Sequence, residues 1–124
     1  MDKNEIVIDG KEYVLKSALK QNNKQITRKN LTYCIVRTYS AGVFAGFFDR
    51  KNKGKEGTIY DSRRIWYWDG AASLSQLAVD GTSLPDKCKF PCIVAETDLK
   101  EIIEVIPCTE RAKKSIDGVK IWSQ

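Results

Sequence analysis

The sequence predicts an α+β domain: an antiparallel β-sheet accompanied by two short helices. Three observations carry that prediction. Runs such as "LTYCIVRTYS" and "GVFAGFFDR" are rich in β-branched and aromatic residues, which favour strands. The breaks between them, Ser40-Ala41-Gly42 and "KNKGKEG", are short and turn-like, as hairpins need. Two later stretches, 71–81 and 110–116, change to helical spacing.

The elements follow in order. "EIVIDGKEYVL" (5–15) places Asp9-Gly10 between two apolar runs, a hairpin signal, and polar residues 16–30 suit a short helix or an ordered loop. Strands are expected over 32–39 and 43–49. "TIYDSRRIWYW" (58–68) supplies one or two more. Ala71, Leu74, Leu77 and Ala78 recur at helical spacing, and Gly81 can stop that helix. "TSLPDKCKFPC" reads as a loop, and "IVAET" (93–97) and "EIIEVIP" (101–107) as strands. Thr109 can cap a helix over 110–116, with Glu110 near its positive end and lysines towards the other. "VKIW" (119–122) closes the chain.

At 124 residues the chain fits one domain, with 1–30 as an N-terminal hairpin and basic extension and 31–124 as the core. No apolar run is long enough to span a bilayer, and "MDKNEIVIDG" lacks a signal-peptide core, so a cytosolic protein is expected. Four cysteines without a secretion signal read as reduced thiols, and "CKFPC" alone is only half a zinc site, so no metal is expected. There is no histidine. That removes serine–histidine and cysteine–histidine nucleophile pairs, and the protein is not expected to be an enzyme. The net charge of +5 is uneven: residues 1–56 hold 12 Lys+Arg against 6 Asp+Glu, and residues 57–124 hold 9 against 10. Such an excess attracts an anionic partner or simply solvates loops.

Three stretches combine anion- and ring-binding chemistry. In "RRIWYWDGAASLSQLA" (63–78), strand alternation puts Arg64, Trp66 and Trp68 on one face and Arg63, Ile65 and Tyr67 on the other. A guanidinium suits phosphate, and indoles stack with bases, but core tryptophans with snorkelling arginines would look the same. Ser40, Ala41 and Gly42 are small enough for close approach by a ligand, or form only a turn. On the 110–116 helix, Arg111 and Lys114 share a face at i, i+3, as in a phosphate clamp or an ordinary solvated helix.

The blocks "VRTYSAGVFAG", "RRIWYWDGAASLSQLA" and "EVIPCTERAKKSI" resemble a family of small phage and prophage proteins, the first type of Thoeris anti-defense protein. The resemblance spans roughly residues 33–122. It implies a phage protein, acting in the host bacterial cytoplasm, that soaks up a cyclic ADP-ribose isomer made by TIR enzymes without cleaving it. Cyclic oligonucleotides are further ligands in the family. It also implies a homo-oligomer, dimer or hexamer, with pockets at subunit contacts and no cofactor. By the resemblance, Ser40, Ala41 and Gly42 form the close-approach wall. Arg63 or Arg64, with Arg111 and Lys114, holds the phosphates, and Phe44, Trp68 or Phe90 covers the base. Which of Arg63 and Arg64 faces the ligand is a question of register. The competing expectations are a phage nucleic-acid-binding protein, an inhibitor that docks on a host enzyme, and an enzyme that degrades the signal.

Overall fold

The computed structural model describes residues 30–124, of which Leu31–Gln124 form a compact unit. The hairpin expected at 5–15 and the basic stretch 16–29 lie outside the described residues. Five strands, β1 (Thr32–Thr38), β2 (Val43–Phe48), β3 (Gly57–Arg64), β4 (Ile93–Leu99) and β5 (Ile102–Pro107), form one sheet. Helix α1 (Leu74–Asp80) follows β3, a single 3-10 turn covers Pro85–Lys87, and helix α2 (Glu110–Asp117) follows β5. Every strand pairing is antiparallel, in the order β4-β3-β2-β1-β5. The α+β class with an antiparallel sheet and two helices is therefore the observed one. Among the described residues no helix is long and apolar enough to cross a membrane.

The sheet cannot be flat. Four strand spacings would separate β4 from β5 by roughly 19 Å. Yet only Lys100 and Glu101 join Leu99 to Ile102, and three Cα steps reach about 11 Å. The sheet therefore coils until its two outer strands approach. Ile102 N–H donates to the Lys55 carbonyl at 2.7 Å, and Tyr39 N–H to the Glu101 carbonyl at 3.0 Å. A bulge helps the coiling. Register shifts between Ala45 and Phe47 where Asp61 takes φ 47°, and Gly46 fits there because a Cβ would lie 2.7 Å from Ser62 Cβ.

Coiling gives the sheet two differently filled faces. The concave side buries Cys34, Val36, Phe44, Phe48, Ile59, Leu99 and Ile102 against one another. On the convex side Tyr33, Ile35, Ala45 and Ile65 pack under Leu77 and Ala78 of α1, Ile116 of α2, and Phe90. That is why β1 is buried on both faces and reads as a near-continuous apolar run.

Both helices start at capped positions. Ser73 Oγ accepts from Gln76 N–H at 3.2 Å, and Gln76 Oε1 accepts from Ala72 N–H at 2.7 Å, a reciprocal capping arrangement. This starts α1 three residues later than the spacing of Ala71 predicts. Gly81 ends it, its N–H bonded to the Leu77 carbonyl. Thr109 caps α2 through Ala112 N–H at 3.0 Å, as expected, and its hydroxyl also donates to the Val79 carbonyl, tying α2 to the end of α1.

Candidate functional site

The two adjacent arginines have opposite fates. Register pairs Ala45 with Arg63 and Phe44 with Arg64, so Arg63 points to the helix-covered side and Arg64 to the other. Arg63 is 2% exposed. Its Nε donates to the Pro91 carbonyl, Nη1 to those of Ile116 and Val119, and Nη2 to those of Phe90 and Lys120. A guanidinium carries five N–H donors, and all five are engaged. Burial lowers its pKa, opposed by nearby Tyr33 and Asp117. The expectation that Arg63 holds a phosphate is corrected: its donors fasten the end of α2 and the 119–120 segment to the 90–91 loop.

Arg64 is exposed. Its guanidinium lies over the Phe44 ring, 4.6 Å from the centroid, and Nη1 donates to the Ala41 carbonyl at 3.1 Å. The Ser40–Gly42 turn is thereby joined to the end of β3. Thr38 fixes the turn from inside, its Oγ1 accepting from Ala41 N–H at 3.0 Å and donating to the Gly42 carbonyl at 2.8 Å. Gly42 has φ 104°, which side-chain-bearing residues rarely adopt, and a Cβ there would meet open space. Ser40, Ala41, Gly42, Phe44 and Arg64 are thus brought together.

The remaining expected residues are not part of that group. Phe90 is fully buried under Arg63, whose Cζ lies 5.5 Å from its ring centroid. The expectation that Phe90 covers a base is therefore corrected. Phe44 is 3% exposed, so its ring supports Arg64 rather than offering a free face. Trp68 is half-buried against the convex-side core. Arg111 is 77% exposed and sits 4.0 Å from Asp80 at the end of α1. Lys114, on the same helix, is also exposed. Helix α2 begins beside Tyr33, where Cys108 N–H bonds to the Tyr33 carbonyl. The Ser40–Gly42 turn follows the opposite end of β1, roughly 20 Å away along the strand.

Solvent-facing rings occur outside the expected site residues, at Trp66 and Tyr67. Trp66 and Trp122 stack with planes 7° apart and centroids 6.5 Å apart. Lys89 Nζ lies 5.5 Å from the Trp122 ring and 5.9 Å from that of Tyr67. Alternation had placed Trp66 beside Arg64 on one face. Nothing local connects Trp122 to it, because that contact joins the far end of the chain. Separately, a cavity of about 240 Å³ opens between Arg50, Asn52, Lys53 and Gly54 and the first residues of β5, and no expected site residue lines it.

Two of the thiols, Cys34 and Cys108, are structural in character. Cys34 is pushed up to about 11 by burial, and Cys108 to about 12 by burial and then by Cys34. Burial also raises Tyr33, with Asp117 and Cys108 adding to it. Such groups stay neutral near pH 7 and are poor nucleophiles. Among the described residues no group of three His, Cys, Asp or Glu is arranged to hold a metal ion.

Residues 31–116, more than two thirds of the chain, match the model of a family described as a domain of unknown function, DUF6948, and the chain belongs to that family. No curated protein matches the chain. No solved structure matches it either.

Proposed function

We propose that this protein binds and sequesters a cyclic ADP-ribose isomer, 1''-2' or 1''-3' glycocyclic ADP-ribose, made by bacterial TIR enzymes. It does so without cleaving the ligand, as a phage anti-defense protein blocking Thoeris immunity in the host cytoplasm. One observation carries this reading: Arg64, anchored on Phe44 and on the Ala41 carbonyl, stands exposed beside the open Ser40–Gly42 turn. A fixed guanidinium next to accessible backbone is what a diphosphate requires. The lack of histidine and the neutral thiols of Cys34 and Cys108 fit holding a ligand rather than breaking it.

Arg111 and Lys114 belong to this site as contributions from a second copy, since within one chain they lie away from Arg64. The homo-oligomer implied by the resemblance supplies that copy. Cyclic oligonucleotides are a further ligand class under the same proposal.

The test is a capture assay. The protein is mixed with products of an activated Thoeris TIR enzyme and removed by filtration, and the filtrate is tested for effector activation. Activity lost from the filtrate and recovered after heat-denaturing the protein supports sequestration. Loss without recovery means degradation, and no loss refutes the proposal.

A second reading, nucleic-acid binding, draws on the β2–β3 loop. Arg50, Lys51, Lys53 and Lys55 make no ion pair there among the described residues. Its signature is affinity that falls steeply with salt, whereas a site with few phosphate contacts loses less.

A further inference from the structure

The exposed rings of Trp66 and Tyr67, with half-buried Trp122 beside Trp66, have no place in the core, and exposed apolar surface of this kind marks a binding site. Trp66 is 63% exposed and Tyr67 50% exposed. Trp122 and Lys89 reach them from two other segments, so the fold assembles the group.

The assembly is rigid. Trp66 N–H donates to the Lys89 carbonyl at 3.1 Å, and Lys89 N–H to the Tyr67 carbonyl at 2.8 Å. Trp122 N–H donates to the Phe90 carbonyl at 3.0 Å, next to the bridge between Phe90 and Ile121. Arg63 grips the carbonyls of Phe90 and Pro91, which follow Lys89, and of Val119 and Lys120, which lie three and two residues before Trp122. The buried arginine thus holds the support on which the rings stand, and a preorganised surface loses little entropy when it binds.

The arrangement also has a chemical direction. The two indoles are almost parallel, so a third flat ring on the open face of Trp66 would extend an existing stack. Lys89 lies over two aromatic rings and makes no ion pair among the described residues. Arg64 and Trp66 are both exposed and lie two residues apart in the chain, with buried Ile65 between them. Rings for a base and a cation for phosphate therefore come together at Lys89, with Arg64 two residues before Trp66 in the chain.

We propose that Trp66, backed by Trp122 and flanked by Lys89, is the stacking site for the purine base of the nucleotide ligand. This rests on the nucleotide-binding reading above and goes beyond it, because Trp66, Trp122 and Lys89 replace Phe44, Trp68 and Phe90 as the base-recognising residues. A single strand of nucleic acid and a second copy of this chain are the other possible occupants, and the experiment separates them.

The experiment is isothermal titration of the full chain with AMP and with ribose 5-phosphate, using wild type, Trp66→Ala, Trp66→Phe and Lys89→Gln. Thermal melts confirm that each variant folds, as expected for exposed positions. AMP is expected to bind at least ~10-fold more tightly than ribose 5-phosphate. Trp66→Ala is expected to weaken AMP by ~10-fold or more, within the range of one base–aromatic stack, and Trp66→Phe to recover part of the loss. No AMP binding to wild type, or equal affinity in Trp66→Ala, overturns the proposal. So does a change of oligomeric mass in Trp66→Ala with AMP binding intact, which gives the rings to a second copy. Binding of single-stranded DNA without AMP also overturns it. The capture assay separates this failure from failure of the functional reading. Undiminished capture by Trp66→Ala removes the stacking site and leaves sequestration standing, whereas AMP bound by a protein that captures no signal does the reverse.

Discussion

The cage around Arg63 and the open surface around Arg64 are one residue apart in sequence and opposite in every property that decides a role. Arg63 gives all five donors to backbone carbonyls and holds the fold. Arg64 gives one bond to a turn, rests on a ring and leaves the rest of its guanidinium in solvent. Chemical suitability for phosphate is the same in both. Availability separates them, and availability is set by which face of β3 each residue occupies.

The sharpest way to break that contrast is Arg63→Ala. It leaves five carbonyls without their donor, and each buried acceptor left unsatisfied costs about 1–3 kcal/mol, together a large share of the stability of a small domain. Denaturant unfolding should show the loss whether or not ligand is present. A smaller effect is expected at the turn beside Arg64. Gly42→Ala should cost about 1–2 kcal/mol through its positive φ alone, because the added methyl group meets nothing. Alkaline titration probes the core rather than the surface. Cys34 and Cys108 have folded pKa values of about 11 and about 12 against an ordinary 9.0. Their contribution is therefore complete below about pH 9 and is lost as pH rises through 9 to 12. Thermal melts should fall across that window, while exposed Cys92 reacts with a thiol reagent before either of them. The smallest stability effect is expected for Arg111→Ala, within about 0.5 kcal/mol, since its contact with Asp80 is long and exposed.

How far the sequence reveals these two regions depends on how local each cause is. The β1–β2 hairpin, the Thr109 cap and the Gly81 stop are written within a few residues and were legible. The third strand was read past its end: at Ile65 the backbone turns to Val43, and at Trp66 and Tyr67 to Lys89. Those partners are fixed by the coiled sheet and not by the apolar run itself. The choice between Arg63 and Arg64 needed the bulge at Asp61 and the pairing with β2. Phe90 looked like a ring in a polar loop, but it is buried because Arg63 draws that loop inward. Trp122 was invisible as a site residue for the same reason, since its neighbour Trp66 lies half a chain away.

The most direct measurement is capture of the cyclic ADP-ribose signal by Arg64→Ala, with its unfolding free energy measured alongside. Loss of one charge-assisted contact should weaken capture by about 10- to 150-fold, while the lost contacts to Ala41 and Phe44 cost about 1–2 kcal/mol and leave the protein folded. Mixing this variant with Arg111→Ala should then restore part of the capture, because each copy supplies the residue the other lacks. Capture unchanged in Arg64→Ala, or lost only together with the fold, would contradict the account.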